Sequence, residues 1–200
     1  TASMPASRNW KSVTYGNGVF LAVASDSNIG AYSTNDGQTW TAVTLPSGNQ
    51  WADVAYGGGK FVAIENDTNF VAVGTYSAGS WNWDSVILDV IADSSQKNWT
   101  SIAYGNNRFV CVSDTGEAAW SFDGTIWYPQ AANNHIMPEF DDSTEHNWKQ
   151  IRYGQGVFFA LGDTGGRTVG ADPTTGPTIF AATSPDGIVW TTRTLPTEAS

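Results

Sequence analysis

A fourteen-residue stretch that occurs four times constrains this chain more than any other feature of its sequence. The copies begin at Trp10, Trp51, Trp99 and Trp148 and share the pattern Trp-x-x-Val/Ile-x-Tyr-Gly-x-x-x-Phe-x-x-Val/Ile/Leu. Successive copies start 41, 48 and 49 residues apart. Periods of this length are typical of architectures that stack one supersecondary unit several times. The sequence therefore predicts four structural repeats.

Within one repeat the pattern predicts a β-hairpin. Val13 and Tyr15 are two residues apart, so their side chains point to the same face of an extended strand. Gly16-Asn17-Gly18 follows as a turn, because Gly and Asn tolerate positive φ. Residues 20–24 then form a short apolar run, as expected of a buried strand. Two such runs around a Gly/Asn turn are typical of a hairpin.

A second turn motif closes three of the four repeats. It places Asp-Gly between β-prone runs, which is a strong hairpin signal, and ends on a tryptophan. Its residues are Asp36, Gly37 and Trp40, then Asp123, Gly124 and Trp127, then Asp186, Gly187 and Trp190. The second repeat has only a degenerate version at residues 76–83, in which Trp83 takes the position of the closing tryptophan. Each repeat thus predicts about four short strands.

A four-stranded sheet of this size needs neighbouring sheets to bury its faces, and radial repetition of such sheets gives a propeller. We therefore predict an all-β fold, either a four-bladed β-propeller or a four-blade portion of a larger one. The predicted blades span about residues 10–46, 51–95, 99–128 and 148–196. They form a single domain over residues 10–200, which follows an N-terminal arm or linker at residues 1–9.

The Ser/Thr-x-Asp-Gly-x-x-Trp motif resembles a shortened Asp-box, also called the bacterial neuraminidase repeat. In that family the box lies in the turn between the third and fourth strands of a blade. The resemblance implies a structural role here, in which the aspartate holds the N–H groups of the turn and the tryptophan packs between blades. Asp-boxes occur in sialidases and other glycosidases, in lectins, in photosystem-assembly proteins and in phage tail or fibre proteins. The resemblance therefore indicates a fold much more strongly than an activity.

Composition narrows the classes of partner. The net charge is −10, which disfavours nucleic acid and anionic membrane surfaces, because both require clustered Lys and Arg. The single cysteine, Cys111, replaces an alanine of the repeat pattern and is interpreted as a small buried hydrophobe. No apolar run in the given sequence is long enough to span a membrane, and we expect no secretory signal within it. Because the sequence begins at Thr1, we expect a processed product or a piece of a longer chain.

Two groups of residues are candidate sites. Trp81 has no counterpart in the other repeats, and with Trp83 and Tyr128 it is a candidate stacking platform for a ligand such as a sugar ring. The alternative is that Trp81 fills a local gap. The long connection between repeats three and four holds the second group: His135, Glu139, Asp141, Asp142 and His146. Histidine with carboxylates suits a divalent metal or a partner, although the spacing matches no metal motif and a solvated loop is the alternative. No cofactor is expected.

The leading functional hypothesis is a non-catalytic display module on a phage virion, tail fibre or decorated capsid. This hypothesis implies an extracellular or virion-surface location and binding to a host-surface glycan or to other virion proteins, with self-association left open. The alternative is a carbohydrate-binding lectin. A glycoside hydrolase is the third hypothesis, which requires two carboxylates about 5 to 9.5 Å apart in one pocket. The Asp-box carboxylates are instead expected one per blade, on the rim.

Overall fold

The computed structural model of the chain describes residues 2–46, 48, 50–88, 97–129, 137, 147–163 and 179–195. These residues form sixteen β-strands in four antiparallel sheets of four strands each. The strands of blades 1 and 2 are β1 (Trp10–Gly16), β2 (Val19–Ala24), β3 (Ile29–Ser33), β4 (Thr41–Thr44), β5 (Trp51–Gly57), β6 (Lys60–Glu65), β7 (Phe70–Ser77) and β8 (Ser80–Ile87). Those of blades 3 and 4 are β9 (Trp99–Gly105), β10 (Arg108–Ser113), β11 (Ala118–Ser121), β12 (Trp127–Pro129), β13 (Asn147–Gly154), β14 (Val157–Asp163), β15 (Ile179–Ser184) and β16 (Thr191–Arg193).

Each sheet consists of four consecutive strands, which pair in the order in which they occur in the chain. The predicted first hairpin is present, with Tyr15 opposite Phe20 and with Asn17 and Gly18 at φ values of 50° and 74° in its turn. Equivalent hairpins open the other three blades. The prediction of an all-β propeller fold of four-stranded blades is confirmed. No helix able to cross a membrane occurs in the described part of the chain.

The core lies between the blades, in three clusters. Trp51 is buried with Leu21 of blade 1, Trp99 with Val62 of blade 2, and Trp148 with Val110 of blade 3. The three tryptophans are fully buried, so the opening tryptophan of each blade anchors it on the blade before. Cys111 lies in the cluster between blades 2 and 3, and burial raises the pKa of its thiol far above the ordinary value. Its interpretation as a buried hydrophobe is confirmed.

A close tyrosine–glycine contact joins the innermost strands of neighbouring blades. A Cβ atom placed on Gly16 would lie 1.9 Å from the Tyr56 ring, and one on Gly57 would lie 2.0 Å from the Tyr104 ring. Gly105 meets Tyr153 in the same way, at 2.0 Å. These positions require glycine because any side chain would occupy the space of the ring. The repeated Tyr-Gly dipeptide therefore encodes contacts between blades.

The four blades form an open arc. Among the described strands β1 packs on β5, β5 on β9 and β9 on β13, and no packing of similar extent joins β13 to β1. In blade 1 Val13 is 56% exposed and Tyr15 55%, whereas the equivalent Val54 is 4% exposed. At the opposite end no atom of the described residues lies within 4 Å of the position of a Cβ on Gly154. Both ends of the arc therefore present blade faces that no other described blade covers.

Candidate binding site on the propeller axis

The innermost strand of each blade carries a polar residue two positions after its opening tryptophan: Ser12, Asp53, Ser101 and Gln150. In every blade the pairing with the next strand slips by one residue at this point. Such bulges re-aim side chains and are common next to functional sites. Because β1, β5, β9 and β13 lie side by side, the bulges bring together polar residues that are far apart in sequence.

Asp53 is the centre of this arrangement, and its side chain is only 8% exposed. Its Oδ1 accepts hydrogen bonds from the Ser12 hydroxyl at 2.5 Å and the Val54 N–H at 2.9 Å. Its Oδ2 accepts from the Ser101 hydroxyl at 2.7 Å and the Ile102 N–H at 3.1 Å. A buried carboxylate requires such donors in place of its lost hydration. Blades 1, 2 and 3 supply them together.

Arg152 adds a contribution from blade 4. Its NH1 lies 3.4 Å from Asp53 Oδ2, and it donates to Ser101 Oγ at 3.1 Å and to the Ile151 carbonyl at 2.7 Å. The arginine side chain is 59% exposed, so solvent screens the ion pair and its contribution to stability is small. A guanidinium carries five N–H donors in a planar fork, and the described bonds all fall on one nitrogen. The group is thus held in place while its outer edge faces solvent.

A cavity of about 270 Å³ lies beside this cluster, on the axis of the arc. Its wall includes the fifth residue of each repeat, counted from the opening tryptophan, and three of these residues are small: Thr14, Ala55 and Ala103. The fourth is Arg152. Tyr56, Tyr104 and Tyr153 also line the cavity. The small side chains leave room beside the guanidinium for a polar group of a ligand.

The chemistry of this cavity is recognition by hydrogen bonds. Asp53 is the only carboxylate among the described residues that line it, whereas a glycosidase pocket needs a pair. That carboxylate already accepts four hydrogen bonds besides its contact with the arginine. Within the described ranges no group of three or more His, Cys, Asp and Glu residues is placed to hold a metal. The predicted metal or partner loop, with His135, Glu139, Asp141, Asp142 and His146, lies outside the described residues.

The Asp-Gly-x-x-Trp turns, for which the name Asp-box is kept only as a label of resemblance, are held by their aspartates in blades 3 and 4. Asp123 Oδ1 accepts the N–H groups of Thr125 at 2.8 Å and Ile126 at 3.1 Å. Asp186 Oδ1 accepts those of Ile188 and Val189 in the same pattern. Trp127 and Trp190 close these turns and are buried in the clusters between blades. The positive-φ glycines Gly124 and Gly187 lie against the preceding blade.

The pKa of both aspartates is lowered. Partial burial alone would raise the pKa of Asp123, but the hydrogen bonds from Thr125 and Ile126 and the nearby Lys60 charge hold it at about 2. For Asp186 burial is likewise outweighed by the turn N–H groups, the Ser184 hydroxyl and the charge of Arg108, so its pKa is also lowered. In each case a cation on the preceding blade faces the Asp-box turn.

In blade 1 the structure differs from the sequence assignment. Asn35, not Asp36, takes the acceptor role, since its Oδ1 accepts the Thr39 N–H at 2.9 Å and the Ser33 hydroxyl at 2.9 Å. The turn contains one residue more than those of blades 3 and 4, which moves Asp36 to an exposed left-handed position at φ 57°. Gly37 and Trp40 keep their places, and the indole N–H of Trp40 donates to the Gly37 carbonyl at 3.0 Å.

Trp81 and Trp83 lie between blades 1 and 2. Their rings stack at 4.9 Å, and Trp81 also contacts Tyr32, Phe61 and Tyr76. Both indoles are partly buried against the core cluster. In this blade an extended β7–β8 hairpin replaces the Asp-box turn, and Trp81 fills the space over blade 1. The contacts therefore give Trp81 the gap-filling role, while ligand binding by this pair stays a prediction.

Tyr128 belongs to an exposed aromatic group on blade 3. Its ring stacks on Trp120 at 4.4 Å, and Phe122 meets Trp120 edge-on at 5.0 Å. Phe122 is 54% exposed and Tyr128 is 40% exposed. The Arg108 guanidinium lies over the Trp120 ring at 5.0 Å, a cation–π distance. We call Trp120, Phe122 and Tyr128 the blade 3 aromatic surface.

The shared repeat pattern does not point to Asp53 or Arg152. One signal was available. Asp53 is the only acidic residue at the third position of the four repeats, and Arg152 is the only charged residue at the fifth. In a repeat protein a charge at a position that is otherwise neutral indicates a site that only one blade needs.

Comparison with known proteins supports the fold. No protein-family model matches the sequence, and no curated protein matches it. Among solved structures, β-propeller proteins are similar. Streptogramin B lyase is 14% identical, with a TM-score of 0.61, over 94% of this chain and 55% of that one. A structure of YCF48 bound to D1 peptide is 19% identical, with a TM-score of 0.53, over 91% and 51%.

BamB from Moraxella catarrhalis is 12% identical, with a TM-score of 0.51, over 75% of this chain and 39% of that one. At these identities the likeness establishes the fold alone. The chain spans about half the length of streptogramin B lyase and of YCF48, and less of BamB.

Proposed function

We propose that this chain is a non-catalytic propeller module that binds a peptide segment of a protein partner at its axial cavity. The observation that carries the proposal is the Asp53–Arg152 cluster. A buried carboxylate accepts donors from three blades and positions a guanidinium at the mouth of a polar cavity. Preorganised donors of this kind favour recognition, because little side-chain entropy is lost on binding.

The ligand we expect is an extended peptide. Its carbonyl or carboxylate oxygens accept from Arg152, and its side chains pack on Tyr104 and Tyr153, which line the same cavity. A similar propeller was solved as YCF48 bound to D1 peptide, which supports peptide binding as a use of this fold. Fold likeness does not identify the peptide, so its sequence must come from selection.

The test is selection of a displayed random-peptide library on the purified chain, followed by calorimetry with the enriched peptides. Arg152→Ala should weaken binding at least about tenfold, which is about 1.4 kcal/mol. Lys149→Ala is the matched control, because it removes the same charge from the same strand at an exposed position. It should leave affinity within about twofold. No enriched peptide, or equal loss in both variants, contradicts the proposal.

The more specific form of the proposal is display on a phage virion or fibre, where the partner is another virion protein or a host surface. Its support is the Asp-box resemblance together with a composition that has 21 glycines and only 14% charged residues. Mass spectrometry of purified particles tests this form. Particles that lack the chain would restrict the proposal to the interaction module.

Glycan binding is the second candidate, because the blade 3 aromatic surface is exposed. Stacked aromatic rings with an edge-on neighbour offer apolar faces on which a sugar ring can stack. A glycan array probed with wild type and Tyr128→Ala tests this candidate, with the exposed Phe70→Ala as control. Saturable binding that only Tyr128→Ala abolishes supports a lectin, and binding that is unchanged in Tyr128→Ala excludes this surface.

A further inference from the structure

Two contacts recur at the described interfaces between blades: the first occurs at all three, and the second at the interfaces of blade 2 with blade 3 and of blade 3 with blade 4. In the first, the tyrosine ring of one blade covers the glycine of the blade before. In the second, the Asp-box turn covers an aliphatic residue of the blade before. A Cβ on Gly124 would lie 2.7 Å from Val62, and a Cβ on Gly187 would lie 2.4 Å from Val110. A blade therefore has a covering face and a covered face, and these faces are different surfaces.

The two ends of the arc present one face of each kind. The blade 4 end is a covered face on which no described blade lies. No described atom lies within 4 Å of the Cβ position of Gly154, and Phe159, at the position of Val62 and Val110, is 37% exposed. The blade 1 end is a covering face that lies on no other described blade. Tyr15 is more than half exposed, and the only described residue within 4 Å of a Cβ on Gly37 is its own Trp40.

Charges at the two ends are also matched. Inside the chain a cation faces each Asp-box aspartate of the next blade: Lys60 faces Asp123, and Arg108 faces Asp186. At the blade 4 end the equivalent residue is Val157, which is apolar. At the blade 1 end the equivalent of the aspartate is the neutral Asn35, which holds the turn. Both ends thus carry an uncharged residue, Val157 on one and Asn35 on the other, at the positions where these internal interfaces pair a cation with an aspartate.

We propose that a second copy of this chain docks its blade 1 end on the blade 4 end of the first, and reciprocally, closing a ring of eight blades. Tyr15 of each copy then covers Gly154 of the other. The length of the arc supports two copies, since 94% of this chain aligns with 55% of the streptogramin B lyase chain, so one copy corresponds to about half of that chain. Two identical interfaces related by a twofold axis satisfy both ends of both chains. This inference does not depend on the proposed function.

The first test is the mass of the chain in solution, measured by light scattering across micromolar concentrations. The expected mass is twice the 21.4 kDa of one chain. A mass that stays at 21.4 kDa overturns the proposal, whether the arc remains open or closes on itself. A larger or open-ended assembly overturns the two-copy ring as well.

Variants then test the contact. Gly154→Val meets no described atom within 4 Å of its Cβ position in its own copy, so it should stay folded by circular dichroism. Its dimer dissociation constant should rise at least about tenfold, because the new side chain occupies the site of the Tyr15 ring of the other copy. Tyr15→Ala should do the same from the opposite end. Gly105→Val is the matched internal control, and it should lower the unfolding midpoint, because the Tyr153 ring already covers Gly105.

Mixing the two end variants identifies the orientation. The Gly154→Val variant has an unaltered blade 1 end, and the Tyr15→Ala variant has an unaltered blade 4 end. One copy of each can therefore form one interface of wild-type sequence. The mixture should recover particles of twice the chain mass at concentrations where each variant alone is monomeric. Absence of this recovery, or a Gly154→Val variant that dimerises like wild type, overturns the head-to-tail arrangement.

Discussion

Replacing Asp53 by asparagine tests whether the axial cluster ties the blades together. Asparagine keeps one acceptor oxygen and exchanges the other for an NH2 group, which donates. In the less costly orientation that group faces Ser12, whose hydroxyl can turn to accept, and the Val54 N–H, which cannot. One orphaned buried N–H costs about 1–3 kcal/mol. The remaining bonds also lose charge assistance, so we expect a total loss of about 2–4 kcal/mol.

Urea unfolding at one protein concentration measures this loss by linear extrapolation. Asp26→Asn is the matched control, because Asp26 is exposed and accepts one hydrogen bond, from the Asn9 N–H at 3.2 Å. The control should change the free energy of unfolding by less than about 0.5 kcal/mol. An Asp53→Asn protein as stable as the control would refute the reasoning, and the axial carboxylate would then have no structural role.

Three further predictions concern the blade interfaces. Gly105→Ala should destabilise by about 1–3 kcal/mol, because its Cβ would overlap a tyrosine ring; an unchanged urea midpoint would contradict this. Asp123 should stabilise the fold above its ordinary pKa of 3.8, and this contribution should disappear as pH falls through its folded value of about 2. Asp123→Asn should therefore flatten the dependence of stability on pH between those values, and a slope equal to that of wild type would argue against the assignment. Trp81→Ala should cost about 2–4 kcal/mol in urea unfolding because the indole packs on four aromatic rings; a loss below about 1 kcal/mol would mean that the ring is dispensable to the core.

The fold was predictable because its determinants are local. The alternation in Val13-Thr14-Tyr15 and the glycine turn after it specify a hairpin without reference to the rest of the chain. Repetition of Trp51, Trp99 and Trp148 then indicates stacking. All three tryptophans are fully buried between blades.

The axial site was not predictable in the same way. Arg152 and Asp53 are 99 positions apart, and only the stacking of strands from different blades brings them together. The contrast between Asn35 and Asp36 has another cause: one inserted residue changes which side chain can reach the turn N–H groups. The ring of Trp83, on which Trp81 stacks, lies against Gly74, where a Cβ would be 2.4 Å from it, whereas blade 1 has Ser33 at the equivalent place opposite Phe20.

Each sheet is made of four consecutive strands, and no described ladder of hydrogen bonds runs from one blade into the next. A tandem duplication or deletion of one whole repeat would therefore leave every remaining sheet complete. A new blade must supply a tyrosine for the glycine before it, a glycine for the tyrosine after it, and an opening tryptophan that is buried against the blade before. The number of blades can therefore change in evolution by duplication of a repeat, because an added blade requires no new pairing between strands.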